Sequence, residues 1–365
     1  MNLFSILFRY FTKAYLSWIA ISVICLTAII SLIQTVELLR RTSNRSDESG
    51  DISIAALAFL NIPAVLELIL PFALLAGSML CFDRWNRSNE FVVTRGFGRS
   101  IWAVLNPVIV AAALVGVVFV TVVNPIGSIT SRLYEKKMNM IFGEREQQMS
   151  VSADGIWLRD SNNQGGIIVH GDTLNAASAN ITKPIIYTFG EDEELNRRIK
   201  ADAMRLTEKG WIVQNAIEWD ELGNRIQRGN IIIPTALKSL ELSRSSEPPS
   251  TIAFFSLPAF INLLERAGLP SVDHRIHFHK LLSLPIMMIG IALIGAKFTL
   301  TNMNRGRRVH LFTRGVGISV SIFLFSHLMQ VLGASLRLPP VFAGWAPAIA
   351  VILIGAAMLA RLDEA

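Results

Sequence analysis

Ile101 to Ser131 contains no charged side chain. A run of that length exceeds the roughly 20 residues an α-helix needs to cross the hydrocarbon core of a bilayer. Ala14 to Thr35, Gly315 to Leu336 and Leu338 to Ala360 are also free of charge, and the last two meet at Arg337, Pro339 and Pro340 as a helical hairpin. Ile52 to Phe82 is interrupted by Glu67 alone, and its prolines Pro63 and Pro71 place the expected start of the helix near Pro63. Leu281 to Ala296 is shorter, but Lys280 and Lys297 at its ends can snorkel to the interfaces while Phe278 and Phe298 extend the apolar stretch. Six spans result, three on each side of a polar middle.

Composition agrees. The chain of 365 residues is 52% hydrophobic and only 17% charged, with mean hydropathy +0.45, whereas ordinary globular domains carry about 25% charged residues. Soluble enzymes, disordered chains and collagen-like repeats are excluded on these figures. The first run follows Arg9 and Lys13 as a signal peptide would. Its length and its exit through Glu37, Arg40 and Arg41 instead predict a retained anchor. Bases crowd the short connections around Arg84 to Arg99 and Arg305 to Arg314 and flank both termini. By the positive-inside rule both termini are expected in the cytoplasm, which puts the polar middle in the bacterial periplasm.

That middle, about 140 to 250, has a different texture. Gly155 to Arg159, Ile185 to Phe189, Trp211 to Trp219 and Arg225 to Ile233 alternate or run as β-branched and aromatic stretches. Turn residues punctuate them at Asn162-Asn163, Gly165-Gly166 and Gly223-Asn224. The pattern predicts a β-domain of roughly six to eight strands and leaves sandwich, jelly roll and open barrel undistinguished. Residues 140 to 250 hold 12 basic and 16 acidic side chains, net −4, so the overall +6 becomes +10 on the membrane halves. The basic excess therefore belongs to the spans and gives no support to nucleic-acid binding. Ser256 to Gly268 follows as a connector, with Leu257, Phe260, Ile261 and Leu264 on one helical face. The expected domains are thus spans one to three in 1–139, the β-domain in 140–250, and the connector helix with spans four to six in 251–365.

No phosphate loop, metalloprotease helix or nucleophile elbow occurs, so the chain is expected neither to be an enzyme nor to hold a cofactor of its own. Cys25 and Cys81 both fall inside spans, which argues against a structural disulfide. His274, His277 and His279 stand near Asp273, but their spacing spreads them around a helix axis, and a polar interfacial patch is expected rather than a metal site. Glu67 and His327 lie inside spans, where a carboxylate costs roughly 2.5 kcal/mol or more without a partner. Each is expected to face a cavity, a partner or the interface.

Two segments carry functional signals. Between Asp83 and Ser100, Ser88 or Asn89 can cap a short helix, Phe91, Val92 and Val93 supply an apolar face, and Gly96 and Gly98 end it. Such a helix across the membrane surface, near 86–98, with Glu90 exposed among bases, suits docking on a cytoplasmic partner. On the opposite side, Arg40 and Arg41 beside Glu37 can pair with the phosphates of an amphiphile or simply anchor the span.

Arg9, Tyr10 and Lys13, then Glu37 to Arg41, Pro71 to Gly77, Ser88 to Gly98 and Gly155 to Leu158, in that order within this plan, resemble the LptF/LptG family of lipopolysaccharide-export permeases. The resemblance covers nearly the whole chain and is closer to LptG than to LptF. It implies a fold of six transmembrane helices, three and three, with an inserted all-β periplasmic domain of jelly-roll type. It further implies a half-transporter that pairs with an LptF-like permease, is driven by an LptB-like ATPase dimer that uses the ATP, and works with an LptC-like membrane-anchored protein. Lipopolysaccharide would leave the inner membrane for a periplasmic bridge. Glu90, Arg95 and Gly98 match the family's ATPase-coupling positions, and Arg40, Arg41, Glu37 and Arg132 match its lipopolysaccharide-binding region at the cavity mouth. The chain departs from the family at Gln34 and Glu135, where a base is common. The paralogous LptF role is the nearest alternative. A membrane-anchored periplasmic sensor or scaffold would need one or two spans rather than six, and an efflux-type mechanotransmission permease places its soluble domain after the first span.

Overall fold

The computed structural model describes the chain apart from residues 1–2, 44–53, 99, 143–148, 153–154, 163–164, 176–178, 190–194, 208–209, 220–224, 236–247, 301–307 and 364–365. The turns expected at Asn163 and Gly223-Asn224 and the bases Arg99, Arg305 and Arg307 therefore lie outside the described residues. The chain divides into two compact units, one helical (1–141, 253–255 and 275–365) and one built on a sheet (142–252 and 256–274).

Six helices of the helical unit are long and apolar enough to cross a membrane. They are α1 (Leu3–Ser43), α2 (Ile54–Arg87), the third span made of α4 (Ile101–Val118) and α5 (Asn124–Phe142), α7 (Val272–Leu300), α8 (Arg308–Ala334) and α9 (Pro340–Asp363). A short helix α3 (Glu90–Gly96) stands between α2 and α4. The second span starts earlier than its prolines suggest: Pro63 and Pro71 lie inside α2. Proline is tolerated in membrane helices because neighbouring helices and local adjustments re-satisfy the freed backbone groups. One turn of π-helix (Phe119–Val123) joins α4 to α5. At its end the buried Asn124 accepts, through Oδ1, the backbone N–H of Phe254 at 2.8 Å, and the Phe254 ring stacks on Phe278 with centroids 5.3 Å apart.

Packing in this unit follows the logic of bilayers, where association depends on close backbone approach and a few interhelical hydrogen bonds. α1 and α2 are joined by Tyr15 Oη and Ser78 Oγ at 2.7 Å, by Asn61 donating to Gln34 at 2.6 Å, and by Trp85 edge-on to Phe11 with centroids 4.7 Å apart. α7 and α9 meet backbone to backbone: a Cβ added at Gly290 would lie 2.6 Å from the nitrogen of Ile352. The Ser283 hydroxyl donates to Gly344 O across the same pair at 2.9 Å.

The sheet unit is antiparallel throughout. Its strands are β1 (Met149–Ser152), β2 (Gly155–Asn162), β3 (Gly165–Gly171), β4 (Thr173–Asn175), β5 (Asn180–Thr182), β6 (Ile185–Phe189), β7 (Leu195–Lys200), β8 (Ala203–Thr207), β9 (Gly210–Trp219) and β10 (Arg225–Ile233). They pair in the order β1-β2-β3-β6-β7-β9-β8-β5-β4, with β10 on the other side of β9. The apparent crossovers dissolve once bent strands are joined. β3 runs into β4, β5 into β6 and β7 into β8, which leaves seven long strands in a simple up-and-down meander, within the number expected from the turn punctuation.

The bends form one line across the sheet, at Asp172, Lys183, Asp202 and Asn215. Backbone bonds carry the ladder through it, from Asp172 N–H to Thr182 O (3.1 Å), Lys183 N–H to Asp202 O (2.9 Å) and Asp202 N–H to Gln214 O (3.2 Å). Lys183 and Asn215 take positive φ there, 46° and 54°. Lys183 pairs with Asp172 at 3.3 Å, and Asn215 donates to Asp202 at 2.8 Å. Folded along this line, the sheet encloses one core of alternating residues, among them Ile156, Val169, Ile186, Met204, Trp211 and Val213.

The connector, helix α6 (Leu257–Arg266), belongs to this sheet unit and adds Leu264, Ala267 and Leu269 to its core. The apolar face expected from the sequence turns in part onto the sheet, with Leu264 in its core and Phe260 packed against it. Gly268 allows this. It takes φ 75° to end the helix, and a Cβ there would stand 2.4 Å from Leu174 O. The Leu174 N–H donates to Ala267 O at 2.8 Å, so the turn covers the edge of β4, which would otherwise offer unpaired backbone groups.

Candidate functional site

Three places in the helical unit bring charged, polar and exposed apolar groups together, and the first is the segment around Glu90. α2 ends at Arg87, whose guanidinium pairs with Asp83 one turn back. The Ser88 hydroxyl lies within donating distance of Glu90 Oε1 at 2.8 Å and of Arg84 O at 3.0 Å, and its one proton can serve either. Neither Ser88 nor Asn89 caps α3 with its side chain as expected: Asn89 holds the cap position in the left-handed region, φ 54°. Nor is Glu90 exposed. It is half-buried, and its Oε2 has no hydrogen-bond partner among the described residues. Phe91 is buried, whereas Val92, Val93 and Phe97 are exposed. Arg95 stands in the last turn of α3, and Gly98 takes φ 76° just after it. α3 is thus anchored by Phe91 and presents an apolar tip beside a carboxylate.

The second place is the end of α1. Glu37 and Arg40 are exposed, one helical turn apart, with Leu38 buried. Arg41 follows on the helix, its side chain outside the described residues, and Arg132 is exposed on α5. Gln34, one turn before Glu37, plays a structural part. It accepts from Asn61 and ties α1 to α2.

The third place was not assembled by sequence reasoning. A cavity of about 250 Å³ opens between α2, α7, α8 and α9. Glu67 and His327, singled out as intramembrane polar residues, both line it. Glu67 Oε1 accepts from Lys280 Nζ at 2.9 Å, with side chains 20% and 35% exposed respectively. Lys280, expected to snorkel, is therefore the partner that makes an intramembrane carboxylate tolerable. Phe72 faces Phe323 with centroids 5.8 Å apart, and Phe323 lies parallel to His327 at 6.3 Å, so one wall is aromatic. Ser326 Oγ in the lining is buried with no hydrogen-bond partner among the described residues. The cavity offers a largely apolar volume with an ion pair and the Ser326 hydroxyl in its lining. Of the histidine cluster, His274 is buried against Phe260 at 5.2 Å.

Six helices long and apolar enough to cross a membrane, with a β-domain inserted between the third and fourth, mark a multi-pass membrane protein. The sequence matches the model of the lipopolysaccharide export system permease family LptF/LptG over residues 9–361, and the chain belongs to that family. Compared with curated proteins one at a time, it has no match. As a member of this family it is a permease for lipopolysaccharide export and a multi-pass protein of the inner membrane.

Proposed function

We propose that the chain is the LptG-like half of an ATP-driven exporter that extracts lipopolysaccharide from the inner membrane and passes it to a periplasmic bridge. Its partners in this reading are an LptF-like permease, an LptB-like ATPase dimer and an LptC-like membrane-anchored protein. ATP is hydrolysed on the ATPase, both termini lie in the cytoplasm and the sheet unit lies in the periplasm. The observation that carries the reading is α3, an exposed apolar tip of Val92, Val93 and Phe97 held by a buried Phe91 next to Glu90. A permease that makes no contact with ATP must receive the energy of hydrolysis mechanically, and a small anchored helix with an apolar face and a carboxylate is suited to seat in a groove of a basic partner.

Glu90→Arg reverses the charge without touching the anchor Phe91. The permease carrying it is expected to insert normally and to lose ATP-dependent lipopolysaccharide release by tenfold or more, at about 1.4 kcal/mol per tenfold. Release at the unsubstituted rate would refute the docking role of α3. At the other end of the molecule, Arg40 and Arg41 are proposed to meet substrate phosphates with Arg132. Charge reversal at Arg40 and Arg41 together should diminish photocrosslinking of the permease to lipopolysaccharide, and undiminished crosslinking would return both residues to simple anchoring.

A further inference from the structure

The folded sheet has one outer face unlike the rest of its unit. In the layer built from β2, β3, β6, β7, β9 and β10, the residues alternating with the core stand opposite one another in rows. One row runs Arg159, Ile168, Tyr187, Arg198, Trp219, Arg225. The row beside it runs Trp157, His170, Ile185, Lys200, Ile217 and ends at Gln227. Neither row contains an Asp or Glu, although residues 140–250 as a whole carry net −4. The buried Glu218 is turned to the opposite face, where Arg197 and Arg228 hold it at 3.3 and 2.7 Å, and Asp172 and Asp202 sit in the line of bends.

The face is also ordered. Arg198 lies over Tyr187 and over Trp219, 5.9 Å from each ring, and the Trp157 and His170 rings lie 4.4 Å apart. Trp157, Arg159, Arg198, Lys200 and Arg225 are exposed. Cation–π contact between Arg198 and its two rings fixes the side chains that would meet a ligand, so little ordering is left to do on binding.

We propose that this face docks on a bilayer surface bearing anionic phospholipid headgroups. Trp and Tyr favour the headgroup level, where an amphipathic ring keeps one end apolar and one wet. Arg and Lys reach phosphates from the same depth while their stems, with Ile168, Ile185 and Ile217, cover apolar surface. The rows lack the carboxylates that commonly accept from sugar hydroxyls, which disfavours an oligosaccharide. The unit is covalently held to a helical unit that sits in a bilayer, so even weak contact is amplified by high effective concentration.

The full chain tests this in lipid nanodiscs, with Cys25 and Cys81 replaced by Ala and a fluorophore on Gln227→Cys at the edge of the face. A second sample carries the label on Arg205→Cys, exposed on β8 in the other layer. The quencher is a phospholipid spin-labelled at the headgroup. In discs containing phosphatidylglycerol, quenching at position 227 should exceed that at 205 several-fold. It should fall toward the 205 level in pure phosphatidylcholine, and also at about 1 M salt, where the screening length is about 3 Å. Combining Arg159→Glu, Arg198→Glu and Arg225→Glu should lower the docked-to-undocked ratio about a hundredfold or more, the sum of three headgroup-level bases. Lys at the same three positions should preserve it, which separates charge from folding. Equal quenching at 227 and 205, or quenching that survives the Glu substitutions, would overturn the proposal. So would quenching at 227 that appears only when lipopolysaccharide is added to the discs, because the face would then belong to the substrate.

Discussion

α2 and α7 each have 61% of their most apolar stretch buried within the chain, whereas α1 has 11% and α8 has 17%. All four qualify as spans by the same length and composition, so apolarity alone does not separate them. In a bilayer it cannot, because lipid tails are as apolar as leucine and give helices no hydrophobic reason to associate. In the buried helices, small and polar residues meet neighbouring helices of the same chain. α2 brings Glu67, Gly77 and Ser78; α7 brings Lys280, Ser283, Gly290 and Gly295. α1 instead exposes Ile21, Ile24, Leu32, Ile33 and Val36, and α8 exposes Val316, Leu324, Leu328 and Val331. Small and polar residues alone do not separate the two groups, since α8 also carries Gly315, Gly317, Ser326 and Gly333; the bulky aliphatic faces that α1 and α8 leave uncovered are what remain for lipid or a second subunit.

The contrast can be broken most violently at Gly290. A side chain there has no space, since even a Cβ would stand 2.6 to 2.8 Å from the backbone of Val351 and Ile352. Gly290→Val should cost about 3 kcal/mol or more through separation of α7 and α9, read as a large drop in the unfolding midpoint in detergent or as loss of the membrane-inserted protein. A stability within measurement error of the parent would show that the α7–α9 contact is dispensable. A smaller effect is expected at the cavity. Lys280→Met leaves Glu67 without its partner and should cost roughly 2 to 3 kcal/mol, below the range for fully buried pairs because both side chains are partly exposed. Adding Glu67→Gln should restore most of that loss. A double-mutant cycle in which the two substitutions are simply additive would mean that the 2.9 Å contact contributes nothing.

The same contrast explains what could be read from the sequence. Six spans were legible because long uncharged runs have few other fates, and β2, β6, β9 and β10 were legible because alternation survives over five residues or more. β4 and β5, three residues each, are too short to show a period. The line of bends that folds the sheet is a property of neighbouring strands, and no single stretch of sequence contains it. Glu90, Arg95 and Gly98 were placed on or just after a short helix by local signals, the glycines and the charged residues between two spans. The burial of Phe91 and the half-burial of Glu90 depend on packing and left no such signal. Glu67 announced itself as an intramembrane acid, but its partner lies 213 residues away. Lys280 read as one more base at the end of a span. The π-turn and the Asn124–Phe254 bond were likewise silent, although Asn124-Pro125 within an otherwise apolar run was a visible irregularity.

The smallest expected effect is the most informative about the exposed helices. Tyr15→Phe removes the hydroxyl paired with Ser78 and should cost about 1 kcal/mol of the chain's own stability. Ile24, 68% exposed on α1, touches little within the chain, so Ile24→Ala should change that stability by less than about 0.5 kcal/mol. If the aliphatic face of α1 is completed by a second permease, the ranking must invert when recovery of the paired complex is measured. Ile24→Ala, combined with Leu32→Ala, would then reduce co-purification of the partner permease more than Tyr15→Phe does. Should both substitutions leave pairing intact, α1 faces lipid, and low burial in a membrane chain would mark the boundary with the bilayer rather than an unfilled interface.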